Sequence, residues 1–410
     1  MHAIAVAVVS ALVLSGALGI FLLCRQAAAV AAHCESVPAG FQGEISLEEH
    51  QRAAAYGSAS ARLGIAKTVF DTILAALWLT ILLGPLYLLV AQLIPPGISR
   101  SVAIVVAFAL IERLFHLPFS VFSTFWLEAR FGFNRATPLM FIRDRIKGLL
   151  LSCALGVPLL FGLFWLPGVL PNSWWLAAWA ALIALAIAMS VIFPVIIDPM
   201  FNKFMALPDG PLRVRIEALL GKCGFASNGL YVMDASRRST HGNAYFTGFG
   251  KAKRIVLFDT LLQNHTQDEI LSILAHEVGH YKLGHIGQRI AETAAYAFLG
   301  FAVLGFTFAN GRLAGAFGLP SDPGLILIVV LTAMGPFLHL LSPLTSYLSR
   351  RAEYQADNFA RAMTGPSPMA SALTRLARDN LSTLTPDWLY ALFYCSHPPV
   401  PARIARLRGT

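Results

Sequence analysis

Long apolar runs separated by polar segments dominate this 410-residue chain. A helix needs about 20 mainly apolar residues to cross a bilayer, and seven runs reach that length. The pattern therefore predicts a predominantly α-helical, polytopic membrane protein. Its seven expected transmembrane helices lie at residues 3–23, 69–94, 101–126, 148–170, 174–197, 287–310 and 323–348.

The same pattern divides the chain into four parts. We expect five transmembrane helices with basic loops in 1–197, a polar domain in 198–286, two further transmembrane helices in 287–348, and a polar C-terminal part in 349–410.

The polar domain is expected to be small and of the α+β type. "PLRVRIEALLGKCG" has helical periodicity and a glycine stop, which predicts a helix. "GLYVMDAS" and "KRIVLFDTLL" are β-rich runs bounded by turn residues, with "NAYFTGFG" between them. Thr266 precedes Glu269 by three residues, the spacing of a capping box, so a second helix is expected to begin there.

Composition supports a membrane protein and restricts its partners. The chain is 56% hydrophobic and only 13% charged, whereas soluble domains average about 25% charged residues. Its net charge is +9, and no recognisable nucleic-acid-binding module accompanies it, so the expected partners are membrane lipids rather than nucleic acid. The five cysteines form no CxxC pair, which argues against a disulfide framework or a thiolate metal site.

Basic residues fall on alternate loops, and this asymmetry predicts the orientation. Positive loops stay in the cytoplasm, which puts the N-terminus outside and both polar segments on the cytoplasmic side. The basic residues lie after the first and third predicted helices: Arg25, Arg52, Arg62, Lys67, Arg130, Arg135, Arg143, Arg145 and Lys147.

Two features of the apolar runs allow alternatives. Residues 1–23 could be a cleaved signal peptide, although the run is long and no positive charge precedes it. Glu112, Arg113, His116 and His339 lie in the middle of predicted membrane helices, where a charged side chain costs about 2.5–3.5 kcal/mol. They either make polar contacts between helices or line a hydrated cavity.

The most informative chemical motif is "HEVGH", residues 276–280. His276 and His280 are one helical turn apart and share a face, while Glu277 is rotated by about 100°. HExxH on a helix supplies two zinc ligands and a general base, although two histidines can also stand beside a glutamate without a metal. His285 is nine residues after His276, about 180° round an ideal helix, so we expect it to be structural.

A catalytic zinc ion needs a third protein ligand. "SRRAEYQADNFARAM", just after the last apolar run, offers Glu353 and Asp357 one helical turn apart. Glu353 can complete a His₂Glu set for one Zn²⁺ per chain, and Asp357 can orient a zinc-bound histidine from behind. The alternative is a solvated charged face, which the neighbouring arginines would also suit.

Several segments together resemble the CAAX prenyl protease 1 family of integral-membrane zinc metallopeptidases. They are "RFGFNRATPLMFIRDRIKG", "IIDPMFNKFMALPDGPLRVRIEAL", "HGNAYFTGFGKAKRIVLFDTLL", "EILSILAHEVGHYKLGH", "RRAEYQAD" and "SHPPVPARI". The resemblance implies seven helices enclosing a water-filled chamber that the zinc site faces.

The resemblance also implies roles for individual residues. By analogy His276, His280 and Glu353 match the zinc ligands, Glu277 the catalytic glutamate, Asn243 a substrate-binding residue beside an edge strand, and His397 and Arg403 residues lining the site. His397 would stabilise the oxyanion. From the residues alone, His397 could equally lie in a proline-punctuated loop and Arg403 in a basic tail.

The expected activity is therefore hydrolysis of peptide bonds by a membrane-embedded zinc metalloendopeptidase. Its substrate would be a peptide or protein, either prenylated at the C-terminus as in CAAX processing or an unmodified membrane protein removed by quality control. A transporter or channel with structural zinc is the less favoured alternative. Alanine-rich composition and short loops favour a bacterial inner membrane with a cytoplasmic active site, and a eukaryotic chain would belong in the endoplasmic reticulum.

Overall fold

The computed structural model describes residues 2–225, 229–247 and 254–409. Within them, seven helices are long and apolar enough to cross a membrane, as the sequence predicts. The N-terminal helices are α1 (Ala3–Ala32), α2 (Leu47–Leu77), α3 (Leu83–Leu93), α4 (Ile98–Phe122), α5 (Pro138–Val169), α6 (Trp174–Ile192) and α7 (Asp198–Phe201). π-Helical segments at Trp78–Leu82, Ser123–Glu128 and Phe193–Ile197 join α2 to α3, extend α4 and join α6 to α7.

The membrane helices expose apolar side chains outward, as a lipid environment requires. Leu14, Phe306 and Phe337 are 69%, 70% and 68% exposed, which would be costly in water for so many large side chains. The second span is longer than predicted, because a capping box at Ser46 and Glu49 begins α2 well before its apolar part.

A four-stranded sheet and its helices form the polar domain. Its elements are β1 (Phe204–Ala206), α8 (Pro211–Lys222), β2 (Leu230–Met233), β3 (Ala244–Thr247), β4 (Arg254–Phe258), α9 (Asp259–Asn264) and α10 (Gln267–Lys282). The strand order is β1-β2-β4-β3, with β2 and β4 parallel and the other pairs antiparallel. β3 is thus an edge strand of the described sheet.

The predictions for this segment are confirmed in part. Both expected helices form, and the helix beginning at Thr266 has its capping box. The interpretation of "KRIVLFDTLL" as a β-rich run is wrong for its second half, because β4 ends at Phe258 and Asp259 starts α9. The sequence did not predict β1, and residues 248–250 of "NAYFTGFG" lie outside the described residues.

The described elements after α10 are all helices. It contains α11 (His285–Asn310), α12 (Arg312–Ala316), α13 (Pro323–Thr364), α14 (Pro366–Asp379), α15 (Trp388–Tyr394) and α16 (Val400–Arg408). α13 runs for 42 residues without interruption, so the last membrane helix continues past residue 348 and carries its polar end into the segment 349–410.

One hydrophobic core joins the polar domain to the end of α13. It packs side chains of α8, α9, α10, β2 and β4 against α13, α14 and α16. Each fully buried Leu or Ile contributes about 1.5–3 kcal/mol, so this core fixes α10 against α13. Its most buried members include Ile216, Ile255, Leu257, Leu261, Leu274, Val278, Ala360 and Ala372.

A cavity of about 1010 Å³ lies between α4 and α5 and reaches the polar domain at Arg238. Glu112, Arg113 and His116 line it, which supports the hydrated-cavity interpretation. Arg113 and His116 also make polar contacts between helices, because Arg113 Nη2 donates to Ser152 Oγ on α5 over 2.8 Å and His116 Nδ1 lies 3.5 Å from Asp71 Oδ1 on α2.

His339 makes polar contacts between helices. Its Nδ1 lies 2.8 Å from Ser15 Oγ on α1, and its Nε2 lies 3.1 Å from Tyr394 Oη on α15.

Candidate metal centre

Hydrogen bonds and an ion pair fix the first turn of α10 through both backbone and side-chain atoms. Thr266 N donates to Glu269 Oε2 over 2.8 Å, and Glu269 N donates to Thr266 Oγ1 over 3.3 Å. Ser371 Oγ donates to Glu269 Oε1 over 2.6 Å, and Arg375 pairs with the same carboxylate. This network ties α10 to α14 and sets the direction of the helix that carries the histidines.

Close approach of α10 and α13 depends on Gly279, the small residue within the HExxH motif. A Cβ at this position would lie 3.1 Å from Phe359 Cβ and 3.2 Å from Ala356 Cα. Ordinary contact between carbon atoms needs about 3.5–4.0 Å. The missing side chain therefore lets the two helices approach until their polar groups meet.

His276, His280 and Glu353 converge at this contact. His276 Nε2 lies 3.1 Å from His280 Nε2 and 3.4 Å from Glu353 Oε2, and His280 Nε2 lies 3.3 Å from Glu353 Oε1. Among the described residues, these three form a group whose ligand atoms are close enough together to hold one metal ion. Glu353 is 1% exposed, so its charge requires a nearby cationic partner.

Asp357 lies behind His276, where the sequence predicts it. Its Oδ1 accepts from His276 Nδ1 over 2.9 Å, so Nε2 is the ring nitrogen that faces Glu353. Arg403 Nη2 and Nε donate to the two oxygens of Asp357 over 2.6 and 2.8 Å. Arg403 is buried, and its Nη1 also lies 3.6 Å from Glu353 Oε2. Its 3.4 Å contact with His276 Nδ1 joins two donors and is not a hydrogen bond.

The surroundings of His276 are strongly negative. Desolvation lowers the pKa of His276, but hydrogen bonds to Asp357 and Glu353 outweigh it and raise the pKa to about 9. The site thus favours positive charge at the imidazole edge.

His285 lies behind His280, a contact that the sequence did not predict. Its Nδ1 is 2.9 Å from His280 Nδ1, and its Nε2 is 2.9 Å from Gln355 Oε1. The ideal-helix argument fails because α10 ends at Lys282 and Gly284 takes a left-handed conformation with φ +76°. The glycine before His285 was the available signal, since it is a typical helix C-terminal residue.

Glu277 stands on α10 beside both histidines and is half-buried. Burial raises the pKa of Glu277, because low-dielectric surroundings disfavour a carboxylate, while the nearby imidazoles act in the opposite direction. A raised pKa suits a group that must both accept and return a proton near neutral pH.

His397 reaches the group from the loop between α15 and α16. Its Nδ1 lies 2.8 Å from Glu353 Oε2, although its side chain is 64% exposed. Arg350 on α13 holds this loop, because its Nη1 donates to the carbonyl oxygens of Ala391 and Cys395 at the end of α15 over 3.0 and 2.8 Å.

Asn243 lies immediately before the edge strand β3 and is exposed. Its Oδ1 accepts from Ala244 N over 2.8 Å, and its carbonyl oxygen accepts from Phe258 N. Within the described residues its hydrogen bonds do not go to the three converging side chains. β3 itself packs against α10, the helix of the two histidines.

Comparisons with known proteins cover almost the whole chain. Residues 26–203 match the family model for the CAAX prenyl protease N-terminal region with five membrane helices, and residues 206–410 match that for peptidase family M48. The chain is 41% identical over 304 residues to a CAAX prenyl protease 1 homolog of Arabidopsis thaliana, covering 73% of this chain and 71% of that protein.

Yeast proteins give the same result in sequence and in structure. CAAX prenyl protease 1 of Saccharomyces cerevisiae is 36% identical over 327 residues, covering 76% of this chain and 72% of that protein. The crystal structure of S. mikatae Ste24p superposes with a TM-score of 0.93 at 28% sequence identity and covers 99% of both chains.

Proposed function

The chain belongs to peptidase family M48, in the group of the CAAX prenyl proteases, and on this premise we propose that its metal is zinc and that it cleaves C-terminally prenylated peptides. It is an integral, multi-pass membrane metallopeptidase. The observation that carries the proposal is the convergence of His276, His280 and Glu353 beside Glu277.

The ligand geometry fits a zinc ion. Two ligands about 2.0–2.1 Å from a tetrahedral zinc are about 3.3–3.4 Å apart, and the three separations in this group are 3.1, 3.4 and 3.3 Å. Glu353 Oε2 is buried and makes no hydrogen bond with any described residue, although nitrogen atoms surround it. Two imidazoles and a carboxylate are also a typical catalytic zinc set.

Each residue of the proposed mechanism has a defined task. Zinc, when bound, supplies Lewis-acid polarisation of the scissile carbonyl and of the attacking water. The Glu277 carboxylate accepts the proton of that water and returns it to the leaving amine. His397 donates a hydrogen bond to the carbonyl oxygen as negative charge develops there. Asp357 keeps the His276 ring in the tautomer that presents Nε2 to the metal.

We propose that substrate binds as an added strand on β3, beside Asn243. β3 is the edge of the described sheet and packs on the helix of the metal ligands. Main-chain hydrogen bonds along such an edge hold an extended peptide with little demand on its side chains. This mode accommodates different C-terminal sequences, and a prenyl group would then add affinity through apolar contact.

We propose a cytoplasmic active site in a bacterial inner membrane, or in the endoplasmic reticulum membrane of a eukaryote. The basic residues between the apolar parts of the first and second membrane helices, and between those of the third and fourth, support this orientation, and the composition favours the bacterial membrane.

Hydrolysis by a Glu277→Gln variant tests the proposed chemistry. The full-length protein in detergent is expected to retain stoichiometric zinc but to lose activity by about 10²–10⁴-fold, because the general base is gone. Farnesylated and unmodified forms of one peptide should be compared in parallel. Retained activity in the variant would refute the catalytic role, and equal rates on both peptides would favour quality-control proteolysis without lipid recognition.

A further inference from the structure

We infer that His285 and Gln355 form a relay that positions the second metal-binding histidine, His280. This inference rests on the proposed metal site and assigns two positioning residues behind it. The relay consists of two hydrogen-bond contacts. His285 Nε2 lies 2.9 Å from Gln355 Oε1, and His285 Nδ1 lies 2.9 Å from His280 Nδ1.

The direction of the hydrogen bonds follows from their acceptor end. The Gln355 Oε1 oxygen can only accept, so His285 Nε2 carries the proton that it donates. A neutral His285 then has a lone pair on Nδ1, which accepts the proton of His280 Nδ1. His280 is thereby left with its lone pair on Nε2, the atom that lies 3.3 Å from Glu353 Oε1.

The two metal-binding histidines are thus supported by different means. His276 donates to Asp357, a buried carboxylate held by Arg403. His280 donates to a neutral imidazole, which in turn donates to an amide. Metal-binding histidines usually donate their second ring nitrogen to an acceptor that fixes ring orientation. The relay supplies that acceptor at a point where none of the described residues places a carboxylate.

The fold places the relay residues independently of the HExxH helix. Gly284, with φ +76°, ends the turn after α10, and His285 is the first residue of α11. Gln355 lies on α13, two residues after Glu353 and two before Asp357. His285 is 3% exposed and borders a cavity of about 270 Å³ between α11 and α13, which leaves room for a substituted side chain.

Metal affinity of the full-length protein, measured with Zn²⁺ against a competing chelator, tests the relay. His285→Leu is expected to weaken binding about 10–100-fold, because His280 loses its acceptor. His285→Asn, whose side-chain oxygen can accept near the same point, should stay close to wild type. Gln355→Leu should weaken binding, whereas Gln355→Glu, which can only accept, should retain it. The visible spectrum of the Co²⁺ form should change in the two leucine variants only.

Two controls separate positioning from packing. His50 is a buried histidine whose Nε2 lies 2.9 Å from His33 O, so His50→Leu should affect stability but leave metal affinity unchanged. The double variant with leucine at 285 and 355 should bind no more weakly than His285→Leu, because both changes break one relay. Additive losses would overturn the relay.

The outcomes distinguish this inference from the proposed function. Zinc affinity of His285→Leu within about tenfold of wild type would overturn the relay, and an inactive Glu277→Gln would leave the proposed function standing. An active Glu277→Gln would refute the proposed chemistry, while weak metal binding by His285→Leu would still support the relay.

Discussion

Gly279→Ala tests whether the distance between α10 and α13 sets the geometry of the metal site. The added methyl would lie 3.1 Å from Phe359 Cβ and 3.2 Å from Ala356 Cα, about 0.3–0.9 Å short of ordinary contact. One of the two obstacles is backbone, so a rotamer change cannot relieve the clash. Overpacking of this kind costs about 1–3 kcal/mol, offset by about 1 kcal/mol from the better helix propensity of Ala.

The change should therefore destabilise the protein by roughly 0–2 kcal/mol and weaken zinc binding. Ligand positions in a metal site tolerate only about ±0.2 Å, and separating the helices moves both histidines away from Glu353. A zinc affinity at least about tenfold lower, equivalent to 1.4 kcal/mol, is expected. Chelator competition and thermal unfolding with and without zinc would measure both effects.

Gly221→Ala is the matched control, because a Cβ on this residue of α8 would meet nothing within 4 Å. It should gain up to about 1 kcal/mol from helix propensity and leave zinc binding unchanged. If Gly279→Ala behaves like Gly221→Ala in both measurements, the close approach of the helices is not what positions the ligands.

Three further changes probe the supports of the site. Asp357→Asn should lower zinc affinity about 10–100-fold, whereas Asp387→Asn, which alters a carboxylate capping α15, should not; equal losses would contradict the role of Asp357. Arg350→Met should loosen the loop of His397 and lower kcat with little loss of zinc, and a parallel loss of zinc would refute this assignment. Burial lowers the pKa of His265, whose ring nitrogens have no hydrogen-bond partner among the described residues, so protonation favours the unfolded chain. Stability from this residue should be complete above pH about 6.5 and decline below it, and thermal unfolding of His265→Leu should lack that decline.

Membrane helices and the HExxH helix could be predicted because their signals are local. Apolar length identifies a membrane helix in any fold, and the capping box at Thr266 marks a helix start without tertiary information. No local pattern predicts Glu353 as a metal ligand, since 72 residues of sequence separate it from His280. It could be predicted from the need for a third ligand and from the family resemblance. Its position opposite the histidines depends on the packing of α10 against α13.

The contacts that could not be predicted arise where a local rule stops applying. His285 was placed on the far side of a continuous helix, but Gly284 ends the helical geometry one residue earlier. Gln355 carries no charge and belongs to no motif, so only the three-dimensional contact with His285 indicates a role. His339 and His116 have similar sequence surroundings, yet one packs between helices and the other faces the cavity.

The length of α13 determines how far the metal site lies from the bilayer. Glu353 is 30 residues after Pro323, which is about 45 Å along a helix, while the hydrocarbon core is about 30 Å thick. With a typical tilt of about 20°, Glu353 lies roughly 10–15 Å beyond the core if the helix enters at Pro323. An extended chain covers about 3.3–3.6 Å per residue, so about three to five residues are needed to bridge that distance.

A scissile bond directly beside a lipid-bearing cysteine cannot reach the metal while the lipid stays in the bilayer. Cleavage there requires the lipid to leave the bilayer, and the cavity of about 1010 Å³ between α4 and α5 offers a place for the lipid. We therefore expect cleavage beside the lipid to slow as the lipid is lengthened beyond what the cavity holds. Cleavage at a bond five residues away should be insensitive to lipid length. Rates measured on paired peptides would decide this, and equal sensitivity of both bonds would refute the geometry.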